Sequence, residues 1–163
     1  MSEKKATFGA GCFWGVEAAF RRLDGVTQTR VGYAGGHKDN PSYKEVCYTD
    51  TGHAEVVEVT YDEETIPYEA LLAVFWAEHD PTQLNRQGPD VGDQYRSVIF
   101  VHDEAQRAAA ERSKESVQSR ISRPVVTQIE DAQTFWEAED YHQQYLEKRG
   151  LSSCTARLKT AAV

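Results

Sequence analysis

Residues 54–61, AEVVEVTY, alternate in the period of two that a half-buried strand requires. Residues 67–79, PYEALLAVFWAEH, then switch to the helical period and carry Tyr68, Leu71, Leu72, Phe75, Trp76 and His79 on one broad face. A chain that changes period in this way must bury a sheet face against a helix stripe. The same switch occurs nearer the start. KATFGA reads as a short strand, CFWGVEAAFRRL as a helix with Phe13, Val16, Phe20 and Leu23 in line, and TQTRVGYA as a second strand. SVIFV, apolar throughout apart from its serine, supplies a strand after the 67–79 helix. The resulting order, β-α-β-β-α-β, predicts an α+β two-layer sandwich. Its core is the ferredoxin-like split βαβ arrangement, a mixed sheet with two helices on one face, to which helices and long loops are appended.

The appended parts are read from local signals. GGHKDNPSY is a loop, and HDPTQLNRQGPDVGDQYR is a loop long enough to suggest a functional role. DEAQRAAAERSKESVQS is a polar surface helix and VVTQI a strand. TFWE, at 134–137, has the form of a capping box opening a last helix through YHQQYLEK. No repeat or linker divides residues 1–163, so they form one catalytic-size domain, with 150–163 a mobile polar tail that carries Cys154.

A net charge of −8 and a pI near 5.1 argue against nucleic acid or an anionic membrane as partner, because both reward clustered Lys and Arg. No run approaches the ~20 apolar residues of a membrane span, and MSEKKATF lacks a signal-peptide core, so a soluble cytoplasmic protein is expected. A monomer is the default, since no heptad pattern is present. Cys12, Cys47 and Cys154 are odd in number and far apart, which leaves catalysis or inert burial for each. Their spacing, and that of the histidines, does not match a structural zinc site, and no dinucleotide glycine motif follows a strand, so no metal or cofactor is expected.

Cys12 stands at a glycine-flanked turn just where a helix begins. Backbone N–H groups there favour a thiolate, but a small buried residue closing the strand would look the same in sequence. Phe13 lies in the helix's apolar stripe, whereas Trp14 falls off it. Glu55 shares strand parity with Val57, Val59 and Tyr61, which puts a carboxyl either on the apolar face, where desolvation raises its pKa, or past the strand edge in solvent. His53 could act as a base toward Cys12 or bond to backbone. Tyr43 and Tyr95, with Asp90 upstream of the latter, place phenols in loops where they can donate to an oxygen or simply pack. Cys47, between Val46 and Tyr48, reads as inert core.

GCFWG, GHAEVVEV, HDPTQ with DVGDQYRS, and EDYHQQYL, in that order, resemble the A-type peptide methionine sulfoxide reductases over the chain from about Ala6 to Cys154. The resemblance implies reduction of methionine S-sulfoxide, free or protein-bound, through a cysteine sulfenic acid and an intramolecular disulfide, with thioredoxin as reductant. It implies Cys12 as nucleophile, Glu55 as acid, Tyr43 and Tyr95 on the sulfoxide oxygen, and Phe13 and Trp14 around the methyl group, so Phe13 moves from core to pocket. Asp90 and His53 fall where the family contacts the substrate backbone. The tail departs from the glycine-tyrosine-cysteine motif of many relatives. With GLSSC here, Cys154 is the only tail thiol able to resolve Cys12. Two other classes remain open at this stage. One is a cysteine hydrolase or acyl transferase using Cys12 with His53 or His142, and the other is a redox-sensing module without turnover.

Overall fold

The computed structural model describes residues 3–150. Four strands form the middle of the sheet: β1 (Glu3–Ala10), β2 (Val26–Ala34), β3 (Ala54–Asp62) and β6 (Ser97–Val101). Their spatial order is β6-β1-β3-β2, every neighbouring pair antiparallel. β1 and β2 are therefore parallel with β3 between them, joined by α1 (Phe13–Arg21), while β3 and β6 are joined through α3 (Tyr68–Glu78). This is the split βαβ core expected from the order of periods. The alternation in β3 sets its two faces. Val57, Val59 and Tyr61 join the main core with Phe8, Phe20, Leu71, Leu72 and Phe75, all buried. Phe8 packs on Phe20 and Phe75 at ring distances of 5.1 and 5.4 Å. Ala54 and Val56 face the other way into a smaller cluster with Ala34, Val98 and Phe100, covered by Phe135.

Outside this core the structure departs from the sequence reading in several places. The loop before Tyr43 ends in a short helix, α2 (Tyr43–Tyr48), opened by a true capping box: Ser42 accepts from the Glu45 N–H and the Glu45 carboxylate accepts from the Ser42 N–H. The long loop after α3 contains a small hairpin, β4 (Arg86–Gln87) and β5 (Asp90–Val91), then a 3₁₀ turn at Asp93–Tyr95. α4 (Glu104–Gln118) is the expected polar helix, and β7 (Gln128–Asp131) adds a parallel edge strand beside β6, a few residues later than VVTQI suggested. TFWE does not start a helix. Trp136–Glu137 form β8, paired with Gly32 and Tyr33 at the free edge of β2. An open sheet edge, an apolar seat for Phe135 and the Arg30–Glu137 ion pair at 3.0 Å outweigh the local capping propensity. The last helix is only α5 (Tyr145–Lys148), after a 3₁₀ turn at Asp140–His142. The expected tail from residue 151 onward, with Cys154, lies outside the described residues. No helix among them is long and apolar enough to cross a membrane.

Candidate active site

β1 ends at Ala10, and Gly11 turns the chain with φ of +95°, a backbone conformation that favours glycine. The turn is also crowded: a Cβ on Gly11 would meet Cγ of Gln87 in the β4–β5 hairpin at 2.9 Å. Cys12 follows as the N-cap of α1, so its half-buried, reduced thiol stands where the helix's N–H groups converge. The next residue supplies the link to β3. The Phe13 N–H donates to Oε1 of Glu55 at 3.3 Å, and Glu55 is 1 % exposed. Of the two readings of Glu55 parity, the inward one is correct.

Two phenols converge on the same point. Tyr43 and Tyr95 are both half-buried, and both are raised well above the ordinary phenol value, first by burial and next by the charge of Glu55. Tyr95 also feels Cys47, Asp90 and Cys12, which places Asp90 and both thiols around one phenol. Both phenols are therefore protonated hydrogen-bond donors throughout the physiological pH range. Tyr33, on β2 beside Glu55, is pushed up in the same way by burial and by Glu139.

The loops that carry these phenols are tied down by side chains. Glu139 accepts from the Tyr43 N–H at 3.0 Å and from the Tyr33 hydroxyl at 3.1 Å, so it fixes the first turn of α2. Burial raises this carboxyl, but the Tyr43 N–H and the Tyr33 hydroxyl outweigh that and hold it below the ordinary value. Arg96, buried just after Tyr95, donates to the carbonyls of Gly52 and Asp93 at 3.0 and 3.1 Å. It thereby joins the turn before Tyr95 to the loop that leads into β3.

The apolar side of the site starts from α1. Phe13 is buried, with ring centroids 5.8 Å from Tyr33, 6.4 Å from Tyr43 and 5.3 Å from His142, so the helix stripe and the pocket wall meet in this one side chain. Trp14 stays partly exposed. Its ring stacks on Tyr145 at 3.7 Å and 7°, and its Nε1–H donates to Nδ1 of His142 at 3.0 Å. With Nδ1 accepting, the neutral imidazole carries its proton on Nε2. Burial lowers the His142 pKa, partly offset by the charge of Glu139, so the neutral form dominates.

His53 bonds to backbone through both ring nitrogens. It is buried, Nδ1 accepts from the Gly36 N–H at 3.0 Å and Nε2 meets the Lys38 carbonyl at 2.6 Å. Both ring nitrogens thus pin the 36–38 loop, and His142 is held by Trp14, so neither histidine is set to serve as a base on Cys12. Cys47 is not a core residue. Half-buried at the end of α2, its thiol lies within hydrogen-bonding reach of Tyr43, Tyr95 and Gln94, and burial pushes its pKa up. His142, Tyr145, Glu139 and Cys47 were not singled out in these roles from sequence. The Ser42–Glu45 capping box, which fixes α2, was the available signal for Cys47.

Comparison with known proteins agrees with this geometry. A family model described as peptide methionine sulfoxide reductase matches residues 4–162. The chain is 63% identical over 153 residues to a peptide methionine sulfoxide reductase MsrA of Geobacter metallireducens, covering 93% of this chain and 94% of that one. It superposes on the reduced form of Mxr1 from Saccharomyces cerevisiae with a TM-score of 0.86 and 42% identity, covering 91% of this chain and 86% of that one. It also superposes on Mxr1 in complex with Trx2, with a TM-score of 0.62 and 28% identity, covering 88% and 84%.

Proposed function

The chain belongs to the peptide methionine sulfoxide reductase family and is a thiol-dependent reductase of methionine sulfoxide; from that premise we propose how its own residues carry the reaction. The sulfoxide lies with its methyl group against Phe13 and Trp14 and its oxygen between Glu55, Tyr43 and Tyr95. In this reading Glu55 enters the reaction as the carboxylic acid. Cys12 thiolate attacks the sulfoxide sulfur as Glu55 protonates the oxygen, so charge developing on that oxygen is met by a proton and two phenol donors. The oxygen ends on Cys12 as a sulfenic acid, two electrons pass to the substrate sulfur, and methionine leaves. Fixed sites for methyl and oxygen accept one handedness, assigned here to the S epimer, free or within a polypeptide, where Asp90 would meet the substrate backbone.

Cys154 then attacks the sulfenic acid, forming a disulfide with Cys12 and releasing water. A dithiol protein such as thioredoxin reopens it, as the solved pairing of the relative Mxr1 with Trx2 supports. The cytoplasm, where thioredoxin keeps thiols reduced, is the compartment this cycle fits. The carrying observation is the bond from the Phe13 N–H to Glu55, which holds an acid beside the residue that follows the thiol. Mixing reduced protein with methionine S-sulfoxide in the absence of reductant tests it. About one equivalent of methionine per Cys12–Cys154 pair is expected, with a Cys12–Cys154 disulfide, while Cys154→Ser should release the same equivalent and stop at a dimedone-reactive Cys12. Release of methionine by Cys12→Ser at the normal rate would overturn the assignment of nucleophile.

A further inference from the structure

α1 presents Trp14, Glu17, Ala18 and Arg21 along one side, and against them lie Gln144, Tyr145, Leu146 and Glu147. Glu17 is 1 % exposed, and among the described residues it forms no ion pair within 4 Å, although the charge of Arg21 one turn away acts on it. Its Oε1 accepts from the Gln144 N–H at 2.8 Å, and its Oε2 accepts from the Gln144 side-chain amide at 2.8 Å and from the Thr29 hydroxyl at 2.7 Å. Gln144 is one of the few non-glycine residues with positive φ, at 51°, a conformation that costs about 1 kcal/mol or more and persists only where the surroundings impose it. It is also the N-cap of α5, which has only four residues and is far too short to hold itself in place.

Among the described residues, the backbone–backbone bonds of residues 139–150 close within that segment, so side chains must seat it on the domain. Gln143 does part of this by exchanging bonds with both backbone groups of Val31, at 2.8 and 2.9 Å. Glu17 does the part nearest the site, because Gln144 sits between the two residues that touch Trp14. His142 accepts the indole N–H, and the Tyr145 ring lies flat on the indole, with the Arg149 guanidinium over that phenol at 3.7 Å.

We propose that Glu17 is a positioning residue for the methyl-binding wall: by holding Gln144 in its left-handed conformation it keeps His142 and Tyr145 against Trp14, and so sets how tightly the pocket holds the sulfoxide. This rests on the assignment of Trp14 to the methyl group. A wall contact present in both ground and transition states governs binding more than the chemical step. The isosteric Glu17→Gln keeps the volume but replaces one of the two acceptor oxygens with an amide N–H facing donors, so the turn loses part of its hold.

The test is single-turnover methionine release against sulfoxide concentration, with melting temperature measured alongside. Three variants are compared: Glu17→Gln, Gln144→Ala and, as control, Glu58→Gln, which disturbs another buried carboxylate on the opposite face of the sheet. Glu17→Gln should raise the half-saturating sulfoxide concentration about tenfold with the limiting rate within about threefold, and Gln144→Ala should shift it the same way by less. Glu58→Gln should lower the melting temperature without moving half-saturation. An unchanged half-saturation in Glu17→Gln, a loss confined to its limiting rate, or an equal shift in Glu58→Gln overturns the positioning role. If Glu17→Gln does not fold, Gln144→Ala decides by the same criterion. Failure of the wild-type protein to release methionine would instead sink the reading of the site itself.

Discussion

Strand β3 carries two buried glutamates three residues apart, and their surroundings are opposite. Glu55 points into the layer shared with α1, among Tyr33, Tyr43, Tyr95 and Cys47, and takes the Phe13 N–H. Glu58 points to the other face, where its Oε1 accepts from Nη2 and Nε of Arg30 at 2.6 and 3.1 Å and from Nζ of Lys5 at 3.2 Å. Burial alone would raise the Glu58 pKa, but the Arg30 and Lys5 contacts outweigh it and hold this carboxyl below its ordinary value. One residue type on one strand thus becomes an ion-paired carboxylate on one face and, in the reaction proposed above, the proton donor on the other. What separates them is the company that strand parity and the neighbouring elements bring, cations behind and phenols in front.

The largest expected effect is on the front face. Glu55→Gln should fold and bind sulfoxide but slow the single-turnover release of methionine by about 10²- to 10⁴-fold, while Glu58→Gln leaves that rate unchanged. A similar loss in both variants would erase the contrast. Tyr43→Phe and Tyr95→Phe should each cost about 10- to 100-fold in the same rate, and the double variant should cost less than the product because both donors serve one oxygen. Since both phenols are raised far above their ordinary range, neither should introduce a break in the rate profile below pH 10.

On the back face the effect is on stability. Arg30 and Lys5 are part-exposed, so Glu58→Gln should cost only about 1 kcal/mol near neutral pH. The Glu58 carboxyl is lower in the folded than in the unfolded chain, so its contribution is complete above the unfolded value of 4.5 and is lost as pH falls through the folded value. Denaturant titrations of variant and wild type should therefore converge at acid pH, separate as pH rises from the folded value to about 4.5, and keep a constant gap above it. The smallest effect concerns the thiols: iodoacetamide at mildly acidic pH should label Cys12 before Cys47, whose thiol is pushed up by burial.

Periodicity made the core legible. The parity of Glu55 with Val57, Val59 and Tyr61, and the helix-start position of Cys12, followed from spacing alone, because strand and helix periods fix which side chains share a face. Local signals served less well where tertiary contacts compete. The S-x-x-E at Ser42 was a real capping box inside a segment read as loop, whereas the T-x-x-E at Thr134 was taken up by a sheet edge. His53 has the composition of a site residue, yet its ring nitrogens belong to the loop. Glu17, Glu139 and Gln144 had no local signature, since their work depends on residues more than a hundred positions away in some cases, such as Glu17 with Gln144.

The protonation state of Glu55 decides most directly whether the two faces differ as described. Infrared spectra of the reduced protein at neutral pH, taken as differences between wild type and each variant, would read it. A protonated-carboxyl band is expected to disappear in Glu55→Gln and to remain in Glu58→Gln, which should instead lose carboxylate absorption. A Glu55→Gln difference spectrum showing only lost carboxylate would mean that Glu55 rests ionised like Glu58, and the proton donor of the reaction would have to be sought elsewhere.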